Sequence, residues 1–404
     1  MRWIGREASA RLRELLGRFP AVLIYGPRQC GKSSLARNAL PGWLHLDLER
    51  PSDASLLAAD LEGFLAANPR RLAIDEAQRF PAIFPALRHA LDSQRGNGRV
   101  VLTGSASPAL LHSASESLAG RIGLLELTPF GVSELAGTTK AAARWFWGGF
   151  PAVLAGRTAA ARRDWLASYL RTILERDLPA LGVRLPAARL GMLLKMLTHV
   201  HGNLLNAADL ARSLGVSPHT VAGDLDVLEG TFFVRRLQPY FANVQKRLSK
   251  SPKIYLRDSG LLHHLAGLRD PTELPTWNRR GASFEGLVIE ELIRRSTLER
   301  PGTEAFFWRT SAGAEVDLLL VEGQRITPIE IKLGAEVRPQ SLAALRQCMS
   351  DLGLERGYVV SSSAEPRKLG RGIEVLPWET LASGETPLPG REAKTTLAGE
   401  SSRD

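Results

Sequence analysis

Only two of the 404 residues are cysteine, Cys30 and Cys348. A disulfide framework is therefore excluded, and the chain is expected in a reducing cytoplasm. No window approaches the ~18 uninterrupted apolar residues of a membrane span. The start, Met1 to Arg6, lacks an apolar stretch and a small-residue cleavage site, so no secretion signal is expected there. Its Arg-rich character could mimic an organellar presequence, but a first helix packed on the core is the favoured reading. Acidic residues are in deficit, with 42 Asp and Glu against 52 Lys and Arg, a net charge of +10. That balance favours acidic partners, nucleic acid before an anionic membrane surface, and DNA is the expected polymer. There is no internal repeat.

What is present suffices for folded cores. Hydrophobic residues make up 44% and charged residues 23% of the chain, and its length suggests two or three domains. Up to about residue 140, four short apolar runs alternate with helical stretches: 21–25, 44–48, 71–75 and 99–103. A fifth run, 123–127, closes this part. Such alternation predicts an α/β fold with a parallel sheet covered on both faces. Residues 141–186 form a helical bridge, aromatic and turn-rich at Trp145 to Pro151. Residues 187–270 read as short helices followed by two strands, and 271–384 as helix, three strands, helix, strand. From 385 to 404 the chain is polar and is expected to be a disordered tail.

The first run leads into Gly26, Pro27, Arg28, Gln29, Cys30, Gly31, Lys32 and Ser33, the spacing G-x-x-x-x-G-K-[ST], and then into a helix from Ser34. A strand, a glycine-bearing loop and a helix in this order form a phosphate cradle. Backbone N–H groups curl around phosphate oxygens, Lys32 reaches the outer phosphates, and the Ser33 hydroxyl ligates Mg²⁺. The third run ends in Asp75-Glu76. Asp75 is expected to hold Mg²⁺ and Glu76 to polarise the attacking water. Thr103 and Ser105, at the end of the next strand, are candidate sensors of the outer phosphate. Arg121, before the fifth strand, is a candidate arginine finger or sensor, in its own subunit or across an oligomer interface. ATP with Mg²⁺ is the expected ligand, and Lys32, Glu76, Ser105 and Arg121 are the expected catalytic set.

Asn206 to Leu228 has helix–turn–helix form, with caps at Asn206 and Ser217, a turn at Gly215, and Leu210, Leu214, Val221, Leu225 and Leu228 facing inward. The two strands that follow complete a winged-helix pattern, and the segment between them, 243–253, is basic. The second helix carries Asp224, Asp226 and Glu229, whose carboxylates would be repelled by a phosphate backbone. The basic wing is the better DNA-facing candidate, and binding of a protein partner is the alternative.

In the last third, Glu285 lies in a helical run, Asp317 in one strand, and Glu330 and Lys332 two apart on the same face of the next. Asp317 and Glu330 could converge on a second divalent metal ion, with Glu285 adding a helix-borne acid and Lys332 orienting water. This order of residues predicts a restriction-nuclease-like domain, with cleavage a separate question.

The ordered set resembles a bacterial and archaeal family of AAA+-like P-loop ATPases that carry a C-terminal region resembling restriction-type PD-(D/E)xK nucleases. The resemblance runs through Gly26 to Ser33, Ile74 to Ala77, Leu102 to Ser105, Leu118 to Arg121, Gly148 to Pro151, Tyr255 to Leu261, Glu315 to Asp317 and Pro328 to Lys332. It implies an ATPase module, a winged-helix-like middle and a nuclease-like end. Two readings follow: an ATP-hydrolysing enzyme acting on DNA, or a nucleotide-dependent switch or scaffold that binds proteins without cleavage.

Overall fold

The computed structural model describes residues 3–105, 114, 116–138, 143–180, 183, 185–240, 251–334, 336–337, 339–362 and 365–390. Its first unit is a five-stranded, all-parallel sheet with strand order β2-β3-β4-β1-β5. The strands are β1 (Ala21–Gly26), β2 (Leu44–Asp47), β3 (Leu72–Asp75), β4 (Val100–Ser105) and β5 (Ile122–Glu126). The α/β reading and the parallel sheet are both observed. Successive residues of a strand point to opposite faces, and β1 shows the sorting. Leu23 joins the cluster under the helix Ile83–Ser93, and Val22 and Ile24 join the one under Ala8–Arg18 and Lys32–Ala39. All three are fully buried. At about 1.5–3 kcal/mol per buried side chain, such residues hold the sheet rigidly beneath the loops at its edge.

The bridge begins with the short helices Arg144–Trp147 and Pro151–Ala155 and the longer Ala159–Thr172. The last passes into a π-helical turn, Ile173–Asp177, before Leu178–Ala180. Then come Ala187–Val200 and the helix pair Ala207–Leu214 and Pro218–Gly230. Asn206 accepts hydrogen bonds from the Ala208 and Asp209 N–H groups, Ser217 accepts from Thr220, and Gly215 takes the left-handed turn between them.

The two following strands do not stand apart as a separate wing. β6 (Val234–Pro239) and β7 (Lys253–Leu256) pair antiparallel, and β6 also pairs with β8 (Glu304–Arg309). A single sheet results, ordered β12-β13-β11-β10-β9-β8-β6-β7, that runs from the middle of the chain into its last third. Its other strands are β9 (Glu315–Glu322), β10 (Arg325–Lys332), β11 (Gly357–Ser361), β12 (Arg367–Lys368) and β13 (Ile373–Pro377). The 20-residue helix Arg280–Glu299 packs across this sheet. Most of the basic segment 243–253 lies outside the described residues, as does the chain beyond 390. Residues 385–390, expected to be part of a disordered tail, are packed: Leu388 is buried in the core, and Pro389 accepts a hydrogen bond from Arg300.

The first sheet and the later helix are clamped together by buried charge. Glu291 accepts from the Val132 and Ser133 N–H groups, and Arg294 binds Glu291 at 2.7 Å and Glu7 at 2.8 Å. Arg6 continues the chain of contacts, bonding Glu134 at 3.0 Å and donating to the carbonyl of Cys30 in the phosphate loop at 2.9 Å. Arg257 ties Glu126 of β5 to Glu290 of the helix. Burial alone would raise Glu290 and Glu291, but their arginine partners outweigh it and hold both at about 2.

Candidate nucleotide site

Parallel order decides what meets at the sheet edge. With β4 between β1 and β3, the loop after β1, the acids after β3 and the hydroxyls of β4 come together at the carboxyl ends of the strands. Ligands of open α/β sheets bind at that edge. The register is direct, with Gly26 beside Ser105.

Two glycines shape the loop. Gly26 (φ +154°) passes so close to the chain that a Cβ there would stand 2.0 Å from the Leu127 carbonyl oxygen, and Gly31 is left-handed at φ +106°. Lys32, 5% exposed, curls back and donates to the carbonyls of Gly26 (3.2 Å) and Pro27 (2.9 Å). Its ammonium thus lies inside the curve of the loop, where a phosphate would take over those contacts. Cys30 is buried with its thiol on the Leu127 carbonyl at 3.2 Å, and burial pushes that thiol above its usual range. Gln29 and Ser33 line the cleft, and Ser34 is exposed.

Ser33, Asp75 and Thr103 share one small cavity, and the Thr103 hydroxyl donates to Asp75. A hydroxyl and a carboxylate so placed, with hard oxygen donors, suit a Mg²⁺ ion that also binds phosphate. Glu76 stands at φ +54°, a left-handed conformation costly for a residue with a side chain, and such strain collects at functional sites. Its carboxylate accepts from Ser105 at 3.4 Å and from the Gln78 amide. The other end of that amide, Gln78 Oε1, is buried without a partner among the described residues. Gln78 was not among the residues singled out from the sequence, although it lies two places after Glu76.

These groups open onto a cleft of about 940 Å³ whose far wall is the bridge: Tyr169, Thr172, Ile173, Arg176 and Asp177. The Arg28 side chain is engaged by two carboxylates. It binds Asp177 at 2.5 Å and Glu49 at 3.0 Å, and the Tyr169 hydroxyl donates to its carbonyl. The phosphate loop is thereby tied to the helical bridge. Arg176 and Arg79 line the cleft together with Arg28, and neither of the two was foreseen from the sequence.

Arg121 belongs elsewhere. Ile122 pairs with Ala21, so Arg121 sits at the amino end of β1 and β5, about 16 Å along the strands from the loop. Its guanidinium binds Asp92 and the Ala119 carbonyl. Arg121 does not complete the phosphate site of its own chain.

In the last third the expected residues do approach one another, with a neighbour that sequence reasoning missed. Lys253 of β7, 2% exposed, places its ammonium 2.9 Å from Glu285, 2.7 Å from Glu315 and 3.5 Å from Asp317. Asp317 also accepts from the Ile331 N–H, and the Tyr255 hydroxyl donates to Glu285. Glu330 pairs with Lys332 and keeps one buried oxygen without a partner among the described residues. Burial and the Asp317 charge raise both Glu285 and Glu330 well above the usual carboxylate range. Burial works against the Lys253 charge, but the surrounding acids outweigh it and hold the ammonium above its ordinary value. A divalent ion takes oxygen ligands at about 2.0–2.6 Å, from carboxylates and waters together. The Lys253 ammonium stands among Glu285, Glu315 and Asp317, where an ion shared by Glu285 and Asp317 would have to sit. Among the described residues, no three His, Cys, Asp or Glu side chains are grouped to hold one.

Of the acids of the helix Pro218–Gly230, Asp224 is internal, Glu229 half-buried and Asp226 exposed, and all three are paired. Asp224 is buried against Arg189 in a two-pronged pair, and Asp226 and Glu229 bind Arg236. They staple the helix to its neighbours.

The fold and loop define an AAA-type P-loop unit, and the family described as an AAA domain matches residues 18–136. Two domains of unknown function, DUF8612 and DUF4143, match 138–272 and 280–381. The uncharacterized proteins Rv2008c of Mycobacterium tuberculosis and Mb2031c of Mycobacterium bovis are each 42% identical over 379 residues, covering 93% of this chain and 84% of theirs. The chain belongs to the family of these mycobacterial proteins. Among solved structures, a Walker-type ATPase of Pyrococcus abyssi is similar with a TM-score of 0.43 at 16% identity, over 65% of this chain and 96% of that one. The RuvB Holliday junction branch migration motor of Thermotoga maritima is similar with a TM-score of 0.30 at 22% identity, over 58% and 90%. No helix among the described residues is long and apolar enough to cross a membrane.

Proposed function

We propose that this protein binds and hydrolyses ATP with Mg²⁺ in the cleft between its parallel sheet and its helical bridge. The observation that carries the reading is the meeting of the curled loop and Lys32 with Ser33, Asp75, Glu76 and Ser105 at one sheet edge. The loop N–H groups and Lys32 hold the phosphates, Ser33 and Asp75 hold the ion, and Glu76, oriented by Ser105 and Gln78, draws a proton from water. The ion, when bound, neutralises charge on the phosphates. Because Arg28 joins the loop to Asp177, nucleotide exchange would be felt by the bridge and by the parts beyond it.

For those parts, a switch or scaffold is favoured over a nuclease by the ammonium of Lys253 among the acids. Recognition of DNA is supported by the net charge of +10 and by the basic segment 243–253. The test is ATP turnover with Mg²⁺ by wild type, Lys32→Ala and Glu76→Gln. Loss in both variants, with nucleotide still bound by Glu76→Gln, is expected. Turnover by Lys32→Ala at the wild-type rate would overturn the proposal.

A further inference from the structure

Lys253 is held from both sides. Its strand pairs with β6, opposite Leu237, and it bridges Leu204 on the other side. The flanking residues are bonded too: Gly202 donates to the Ile254 carbonyl, Leu205 to the Pro252 carbonyl, and Ile254 to Asn203. The rings of Tyr255 and Phe307 stand 6.0 and 5.9 Å from the ammonium and exclude water from its sides. An ammonium has three N–H donors, and here three carboxylates stand within reach, from the helix Arg280–Glu299 and from β9. The charges nearly balance. Glu285, Glu315, Asp317 and Glu330 face Lys253, Lys332 and Arg309, the last bound to Glu315 at 2.5 Å. A divalent ion shared by Glu285 and Asp317 would meet a buried ammonium between them.

We infer that Lys253 is the resident cation of this cluster, a pin between the middle of the chain and its last third, and that the cluster takes up a divalent ion only when Lys253 is removed. This does not depend on the nucleotide reading. The middle region supplies the positive charge, and the helix and β9 supply the negative charge, so the pin also fixes how the two parts sit. The wild-type cluster is then a structural joint, with no place for the ion that phosphodiester hydrolysis would need.

The test uses the full chain without nucleotide, with Mn²⁺ as the probe, and reads binding by calorimetry and thermal stability. Wild type is expected to show no saturable uptake at millimolar Mn²⁺ and no change in melting. Lys253→Met leaves the carboxylates facing one another. It is expected to melt roughly 5 °C or more lower, to bind Mn²⁺, and to regain its stability when the ion is added. Adding Asp317→Asn to that variant should abolish the gained binding. Lys253→Arg, which keeps the charge, should fold and remain silent to Mn²⁺, so the outcome does not hang on the methionine variant folding. Saturable uptake by wild type that disappears in Asp317→Asn would overturn the inference. So would a folded Lys253→Met that ignores Mn²⁺.

Discussion

The phosphate loop and the C-terminal carboxylate cluster are two gatherings of charge at strand ends, built to opposite effect. Around the loop, Lys32 is bonded to carbonyls of its own loop, and Glu76 and Gln78 face a cleft of about 940 Å³. In the cluster, Lys253 is already matched by three carboxylates and closed in by aromatic rings. A lysine held by weak neutral acceptors can exchange them for a stronger anionic one. A lysine held by buried carboxylates cannot leave without exposing unpaired charge. Similar residue types thus give a receptive site in one place and a joint in the other.

The largest effect should come from the receptive side. Lys32→Ala is expected to lower ATP turnover roughly a thousandfold or more, as measured in a steady-state assay. A comparable loss in Lys253→Arg would break the contrast, since that change touches only the joint. Next is the connection between the two regions. Arg294→Ala leaves Glu291 buried without its main partner and should cost about 3–5 kcal/mol in denaturant unfolding. A cost near zero would mean that the two parts are not clamped as seen. Gln78→Ala should then sharpen the account of the cleft. Turnover is expected to fall about tenfold with nucleotide affinity unchanged, because Glu76 loses the amide that orients it. A loss of affinity instead would make Gln78 a binding group.

The smallest effect concerns pH, on the side of the joint. His201 packs against Gly286 of the long helix, and His263 bonds Ser283 of the same helix. Burial lowers His201 from 6.5 to about 3 and His263 to about 4, with Arg279 adding to the shift of His201. The unfolded chain takes up these protons below pH 6.5 and the folded one does not. Their contribution to stability is therefore complete above pH 6.5 and is lost as the pH falls toward 4 and 3. At about pH 5.5 each should cost about 1.4 kcal/mol, read from unfolding curves at the two pH values. His263→Asn should remove its own share of this dependence, and an unchanged pH slope would contradict the assignment.

The difference between the regions also marks what could be read from the sequence. The phosphate loop is legible because its chemistry needs contiguous residues: two glycines, a lysine and a hydroxyl at fixed spacing after an apolar strand. Asp75, Glu76 and Ser105 follow from parallel order, which brings strand ends to one edge. For the Arg121 of the same chain the pattern fails, because an arginine beside a strand does not say which end of the sheet it occupies. Lys253 ends a basic run whose pattern points to a DNA-facing wing, yet its partners Glu285 and Asp317 lie 32 and 64 residues away. No local pattern marks the one cation of a charged run that turns inward. The carboxylates of Asp224, Asp226 and Glu229 were legible as unsuited to DNA, but their arginine partners depend on how the helices and β6 pack.

The most direct test is Mn²⁺ bound to the wild-type chain, followed by electron paramagnetic resonance with and without a non-hydrolysable ATP analogue. Binding is expected only with the analogue, close to one ion per chain, and lost in Ser33→Ala. Mn²⁺ held without nucleotide and released by Asp317→Asn would contradict the contrast between an open phosphate site and a closed carboxylate cluster.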